Sequence, residues 1–304
     1  MAAPKPRASS FHSHDPERFL LAVPKKGRLY NKCLKLLEGA GIDFFRPNRL
    51  DIAQSTSLPL TLVFLPAKDI ALYVYQGMVD MGITGEDIIQ ESCADVNVVM
   101  KLGLGKCKLC LQAPVPHQIK SAKELVGKRI VTSFVNLSKK FFHALPNGDT
   151  TSINYVSGSV EAACGLGLAD GIVDLVETGT TMRAAGLEVV ETIMSTETVL
   201  ISNKKTKHAD MIEKIRKRFE GYMTAQKYDM MLYNIQEKNL AEAKVITPGI
   251  KAPTIMKLSE DNGGEVWYAV QVMVPSKETG KIMDCLSALG ATGILVMDIK
   301  NCRP

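Results

Sequence analysis

No apolar run in this 304-residue chain is longer than a strand, and run after run gives way to a glycine- or hydroxyl-rich turn followed by a helical stripe. Residues 19–23, stopped by Pro24, lead through Lys25, Lys26, Gly27 and Arg28 to Leu29, Cys33, Leu36 and Leu37 at helical spacing. Strands are likewise expected at 60–65, 79–84, 98–102, 106–115, 129–133, 154–156 and 172–176. Helices are expected from Asp69 to Gly77 and over 122–126, 137–145 and 159–168. This alternation predicts an α/β fold with parallel sheet and helices on its faces. Ligands in such sheets gather beyond the carboxyl ends of strands, which singles out the turns at 25–28, 158–159 and 178–181. Gly82, inside its strand, marks a bulge or a close approach by a neighbour.

From Glu188 the pattern changes. Two extended runs at 189–193 and 198–201, a basic loop and a long helix over 210–226 precede strand, helix, strand, strand, helix, strand between residues 230 and 299. That βαββαβ order is the ferredoxin-like unit and predicts a separate small domain. Residues 1–17, rich in Pro, Ser and His, read as a flexible tail with no signal-peptide core.

Charge excludes some functions. A net charge of +5 without an arginine-rich tract argues against nucleic acid and fits anionic small substrates. Membrane crossing is not expected, since a span needs about 20 apolar residues. Seven cysteines without an export signal predict reduced thiols and a cytoplasmic protein. Cys107 and Cys110 form a CxxC pair, but on a strand an odd separation sends them to opposite faces, so both read as ordinary half-buried thiols. The five histidines make no metal-ligand spacing.

The most specific chemistry lies in EAACGLGLADGIVDLVETGTTM, residues 161–182. A short apolar strand ends at Glu177, and Thr178, Gly179, Thr180 and Thr181 open the next helix. Backbone N–H groups and hydroxyls at such a turn suit a phosphate. Asp174 and Glu177 would repel phosphate but suit ribose hydroxyls or a bridging cation, so the segment points to a phosphorylated sugar. Three residues apart on a strand, the two acids are not both expected to face the cleft. Lys25 and Arg28 supply cations beside a helix start, with Arg49 in a nearby extended segment.

These residues resemble the ATP phosphoribosyltransferase family in its long form, the first enzyme of histidine biosynthesis. Glu161, Gly167, Ala169, Ile172, Asp174, Leu175, Thr178, Gly179, Thr181 and Met182 meet the family's central pattern. PKKGRL at 24–29, RLDIA at 49–53, VDMGITGED at 79–87, KCKL at 106–109, GSVEAA at 158–163, RAAGL at 183–187 and the terminal GATGILVMDIKNC extend the likeness to all but the tail.

The resemblance implies two periplasmic-binding-protein-like (type II) α/β lobes, the first of residues 18–107 plus 187–228 and the second of 108–186, with a regulatory domain at 229–304. It implies transfer of the phosphoribosyl group of 5-phosphoribosyl 1-pyrophosphate to N1 of the adenine of ATP, with Mg2+ required and pyrophosphate released. Histidine is implied as feedback inhibitor and a homo-oligomer, dimer to hexamer, as the assembly. Gly158, Ser159, Asp174, Glu177 and residues 178–181 are then the donor site, with Asp174 and Glu177 as indirect magnesium contacts. Lys25, Arg28, Arg49 and Glu161 are catalytic candidates, and Thr254, Ala291 and Thr292 are carried over as histidine contacts. A non-catalytic two-lobe binding protein and a regulatory subunit with degraded motifs are the rival readings. The intact segments at 161–182 and 24–28 argue against both.

Overall fold

A computed structural model describes residues 18–46, 50–259 and 265–303, with Arg28 described by its backbone alone. The expected tail and Arg49 lie outside the described residues. The described chain divides into two compact units, residues 18–34 with 43–212 and residues 35–42 with 213–303.

The larger unit opens with β1 (Phe19–Pro24), α1 (Arg28–Gly39), β2 (Phe44–Phe45), β3 (Ile52–Ser55), β4 (Leu60–Leu65), α2 (Ala67–Tyr75), β5 (Met81–Gly85), α3 (Glu86–Ser92) and β6 (Asn97–Lys101). The chain then builds a second sheet from β7 (Cys107–Pro114), β8 (Arg129–Thr132), β9 (Ser152–Tyr155), β10 (Gly171–Val176) and β11 (Leu187–Thr196). Short helices α4 (Val135–His143), α5 (Ala162–Gly165) and α6 (Thr180–Ala184) follow β8, β9 and β10. With β12 (Thr198–Ser202) the chain returns to the first sheet, whose order is β2-β3-β4-β1-β5-β12-β6; the second is β11-β7-β10-β8-β9.

Both sheets are mixed, which corrects the expectation of parallel sheet. β4, β1 and β5 run parallel, as do β10, β8 and β9. β7, β11 and β12, by contrast, pair antiparallel. The reason lies in the two passages between sheets, 102–106 and 197, which are too short for a helical crossover. β11 also belongs to the second sheet, so the return to the first falls at β12 rather than at residue 187.

Side-chain volume sets the close packing. Gly82 lies where α2 crosses β5, and a Cβ there would meet Ile70 Cγ2 at 2.5 Å and Val74 Cγ2 at 3.0 Å. β10 separates two cores: Val173 packs with Leu109, Leu111, Phe134 and Phe142, and Ile172 with Val131, Val160 and Ala163. The expected helix over 159–168 shrinks to α5, because Ser159 is left-handed at φ 50° and Gly167 stops the turn at φ 67°. At the start of β8, Arg129 grips Asp170 through Nε and Nη2 at 3.1 and 3.0 Å, and its backbone N–H donates at 2.9 Å.

The smaller unit contains most of α7 (Ala209–Ala225), then β13 (Tyr228–Gln236), α8 (Glu237–Ile246), β14 (Thr254–Lys257), β15 (Trp267–Pro275), α9 (Thr279–Ala288) and β16 (Thr292–Asp298). Its order β14-β15-β13-β16 with antiparallel pairing is the ferredoxin-like sheet the sequence predicts. Met231, Tyr233 and Ile235 share one core with Ala243, Ile282 and Leu286, so one face is covered by both helices. Tyr233 is buried, and its hydroxyl meets that of Thr247 at 2.7 Å.

The Arg129 hydrogen bonds, joined by that of the backbone, hold the Asp170 carboxyl down to about 2 from an ordinary 3.8. A carboxyl lowered on folding stabilises above its unfolded pKa and loses that stabilisation as pH falls towards the folded value. The gap in urea midpoint between the native chain and Asp170→Asn should therefore be full at neutral pH and close progressively in acid between those two values.

Candidate active site

The turn after β10 is built on Gly179, which takes φ 73° and lies buried beneath Arg183. A Cβ there would sit 2.8 Å from Arg183 Nη1, the movable end of a long side chain, so it is the positive φ that calls for glycine. Arg183 Nη2 donates to the Thr178 carbonyl at 3.0 Å, and the hydroxyls of Thr178 and Thr180 meet at 3.0 Å. Thr178, Thr180 and Thr181 are exposed, leaving their hydroxyls open to a ligand.

The strand's alternation decides between the two acids. Asp174 shares the side of Ile172, which packs towards α5, whereas Glu177 follows the side of Val173. Burial pushes the Asp174 carboxyl up, and the charge of Glu161 at the start of α5 adds to the rise. Asp174 and Glu161 therefore act on one another, while Glu177 lies across the strand and meets Lys32 Nζ of α1 at 3.7 Å. Glu177 also lines a cavity of about 250 Å3 between the two sheets, together with Leu29, Lys32, Asp87 and Phe134. The two acids thus diverge, as their three-residue separation on a strand implies. Among the described residues no group of three His, Cys, Asp or Glu is placed to hold a metal.

Gly158 and Ser159 form the left-handed turn before Glu161, with φ 81° and 50°. Just upstream, Tyr155 at the end of β9 hydrogen-bonds Ser157 and the Lys68 ammonium of α2, and both draw its phenol below the usual tyrosine range. On the first sheet, Gly27 takes φ 85° and Lys25 meets Asp51 at 3.3 Å. Asp51 also holds Arg46 at 3.3 Å, whose guanidinium stacks 3.8 Å above the Phe64 ring. Arg28 opens α1, and its side chain, like Arg49, lies outside the described residues.

Lys32, Lys68, Tyr155 and Arg46 went unnoticed in the sequence. Each acts through a partner on another element, a pairing that no local spacing encodes. Cys107 and Cys110 form no disulfide and are half-buried and buried respectively, and burial pushes the Cys110 thiol up.

The three carried-over effector residues do not converge within one chain. Thr254 is exposed on edge strand β14, and Thr292 opens the opposite edge strand β16. Three strand spacings, roughly 14 Å, separate those edges. Ala291 is in the core beneath the helices.

Comparison with known proteins identifies the family. Residues 66–221 match the family model for ATP phosphoribosyltransferase, and residues 225–301 match the HisG C-terminal domain. The ATP phosphoribosyltransferase of Debaryomyces hansenii is 50% identical over 299 residues, covering 96% of this chain and 98% of that protein. That of Saccharomyces cerevisiae is 49% identical over 296 residues, with the same coverage. Among solved structures, the ATP phosphoribosyl transferase (HisG:HisZ) complex from Thermotoga maritima superposes with a TM-score of 0.57 at 27% identity, covering 66% of this chain and 98% of that one. The chain belongs to the ATP phosphoribosyltransferase family, in the form that carries the additional C-terminal domain.

Proposed function

We propose that the chain transfers the phosphoribosyl group of 5-phosphoribosyl 1-pyrophosphate to N1 of the adenine of ATP, the first step of histidine biosynthesis. The observation that carries this reading is β10, which sends Asp174 to the side of Glu161 and ends in an exposed Thr-Gly-Thr-Thr turn. A donor with a 5-phosphate and two ribose hydroxyls needs those two kinds of receiver side by side. The phosphate takes the N–H groups and hydroxyls of residues 178–181, and the carboxylates of Asp174 and Glu161 accept from the ribose hydroxyls.

Departure of pyrophosphate leaves positive charge on the sugar ring, so the chain's task is to orient the donor and stabilise the leaving charge. Lys25 serves the leaving group, and an incoming polyphosphate competes with Asp51 for it. Arg28 and Arg49 are assigned there by their family positions. Magnesium enters as part of the substrates, bound to their phosphates, since hard cations prefer phosphate oxygens and retained water. Adenine N1 carries no proton, so the transfer needs no general base.

The smaller unit is proposed to bind histidine as feedback inhibitor. The assembly is proposed to be a homo-oligomer, dimer to hexamer, working in the cytoplasm. No described helix is long and apolar enough to cross a membrane.

Incubation with ATP, the sugar donor and magnesium should produce a new N1-substituted adenine absorbance; a flat trace under all conditions sinks the reading. Thr181→Ala should raise the KM for the donor by about tenfold or more while leaving that for ATP in place, because one phosphate contact is lost, worth about 1.5–3 kcal/mol when charge-assisted. Asp174 accepts from the sugar as an anion and its carboxyl is raised by burial. Donor KM should therefore climb on acidification at a higher pH than an ordinary carboxyl would give, and Asp174→Asn should remove that limb of the pH profile.

A further inference from the structure

We propose that Arg46 is a positioning residue that keeps hold of Asp51 when Lys25 leaves that carboxylate for pyrophosphate. The proposal rests on the phosphoribosyl-transfer reading above, in which Lys25 serves the leaving group. A carboxylate beside a pyrophosphate works against binding twice over, since it repels the ligand and competes for the same ammonium. Asp51 lies 3.3 Å from Lys25 Nζ, so a second cation has to keep it paired and in place once the lysine swings away.

The carboxylate bridges two cations, Oδ2 to Lys25 Nζ and Oδ1 to Arg46 Nη2, each at 3.3 Å. Arg46 is fixed on its remaining sides. Its Nε donates to the Leu50 carbonyl at 2.8 Å and Nη1 to the Tyr30 hydroxyl at 3.2 Å, while the guanidinium lies 3.8 Å from the centre of the Phe64 ring. Its side chain is 22% exposed, against 36% for Lys25 and 53% for Asp51. Among the described residues the Lys25 ammonium has Asp51 as its single partner. Neither backbone can follow the lysine side chain. Lys25 N–H donates to the Leu65 carbonyl at 2.8 Å and Phe64 N–H to the Asp51 carbonyl at 2.7 Å, so both are anchored along β4. Lys25, on a flexible stem, is therefore the movable end of this cation–carboxylate–cation series, and Arg46 is the fixed end.

Without Arg46, the carboxylate should both retain the lysine and repel the ligand. In the full-length chain, Arg46→Met should weaken equilibrium binding of inorganic pyrophosphate in the presence of magnesium about threefold to fivefold at low salt, the range expected of a partly exposed pair. The loss should shrink as salt is raised. Adding Asp51→Asn to Arg46→Met should restore most of the affinity, because the carboxylate that needed holding is gone, and Arg46→Lys should lose less than Arg46→Met. An arginine that merely packs on Phe64 predicts no such rescue, so a natively folded double variant as weak as Arg46→Met overturns the proposal. Unchanged pyrophosphate binding in Arg46→Met does the same. Should Arg46→Met not fold, Asp51→Asn alone decides: it should bind pyrophosphate more tightly than the native chain, and equal or weaker binding overturns the proposal. If Lys25→Met leaves pyrophosphate binding unchanged, the lysine's assignment falls and the proposal with it. Absence of product from the native chain would count against the transfer reading alone, since pyrophosphate binding is measured without turnover.

Discussion

Asp87 is buried where β5 gives way to α3, and its carboxylate accepts from the Thr196 hydroxyl at 2.8 Å on a strand of the other sheet. The same hydroxyl accepts from the Asp87 backbone N–H at 3.1 Å, closing a two-bond ring across 109 residues of sequence. The two passages between the sheets are tied beside it. Leu102 N–H donates to the Thr198 carbonyl and Thr198 N–H to that of Leu104, each at 2.9 Å, and Glu86 N–H reaches the Glu197 carbonyl at 3.1 Å. A passage without helix has to satisfy its backbone groups in another way, and here the two passages satisfy one another. Burial pushes the Asp87 carboxyl up, so keeping it charged depends on Thr196 and on the N–H groups at the start of α3.

Two cavities adjoin this junction. The cavity between the sheets and a second cavity, beside the turn at 178–181, each draw lining residues from 196–197 and from Cys107, so they share one wall. Lys32 on one sheet's helix and Glu177 at the end of the other sheet's strand can meet only when that wall is in place. The ion pair is partly exposed and adds little stability by itself. It holds Glu177 on the side that strand alternation already gives it, across β10 from Asp174.

Local chemistry made much of this legible. The apolar runs located β1, β4, β5 and β10 to within a residue or two, because strand length and turn residues are short-range signals. The ferredoxin-like order was readable for the same reason. Strand direction in the two large sheets was not, because it depends on where the chain crosses from one sheet to the other. Helix α5 was overestimated because composition does not reveal that Ser159 sits in a left-handed turn. Nothing in the local sequence sets Lys32 or Asp87 apart. What they do is set by partners far along the chain, as with Thr196, and one sequence carries no record of that proximity.

β10 can also be understood as a ruler. Its residues alternate sides at every step, so the distance from Asp174 to Glu177 is counted in parity as much as in ångströms. Removing one residue between them would bring both acids to the same side and carry the hydroxyl turn half a pleat out of phase with Asp174. Removing two would preserve the parity but shorten the reach to Lys32. Natural length variation in this family should therefore accumulate in the loops between elements and spare the span from Asp174 to Gly179, whatever the side chains around it become.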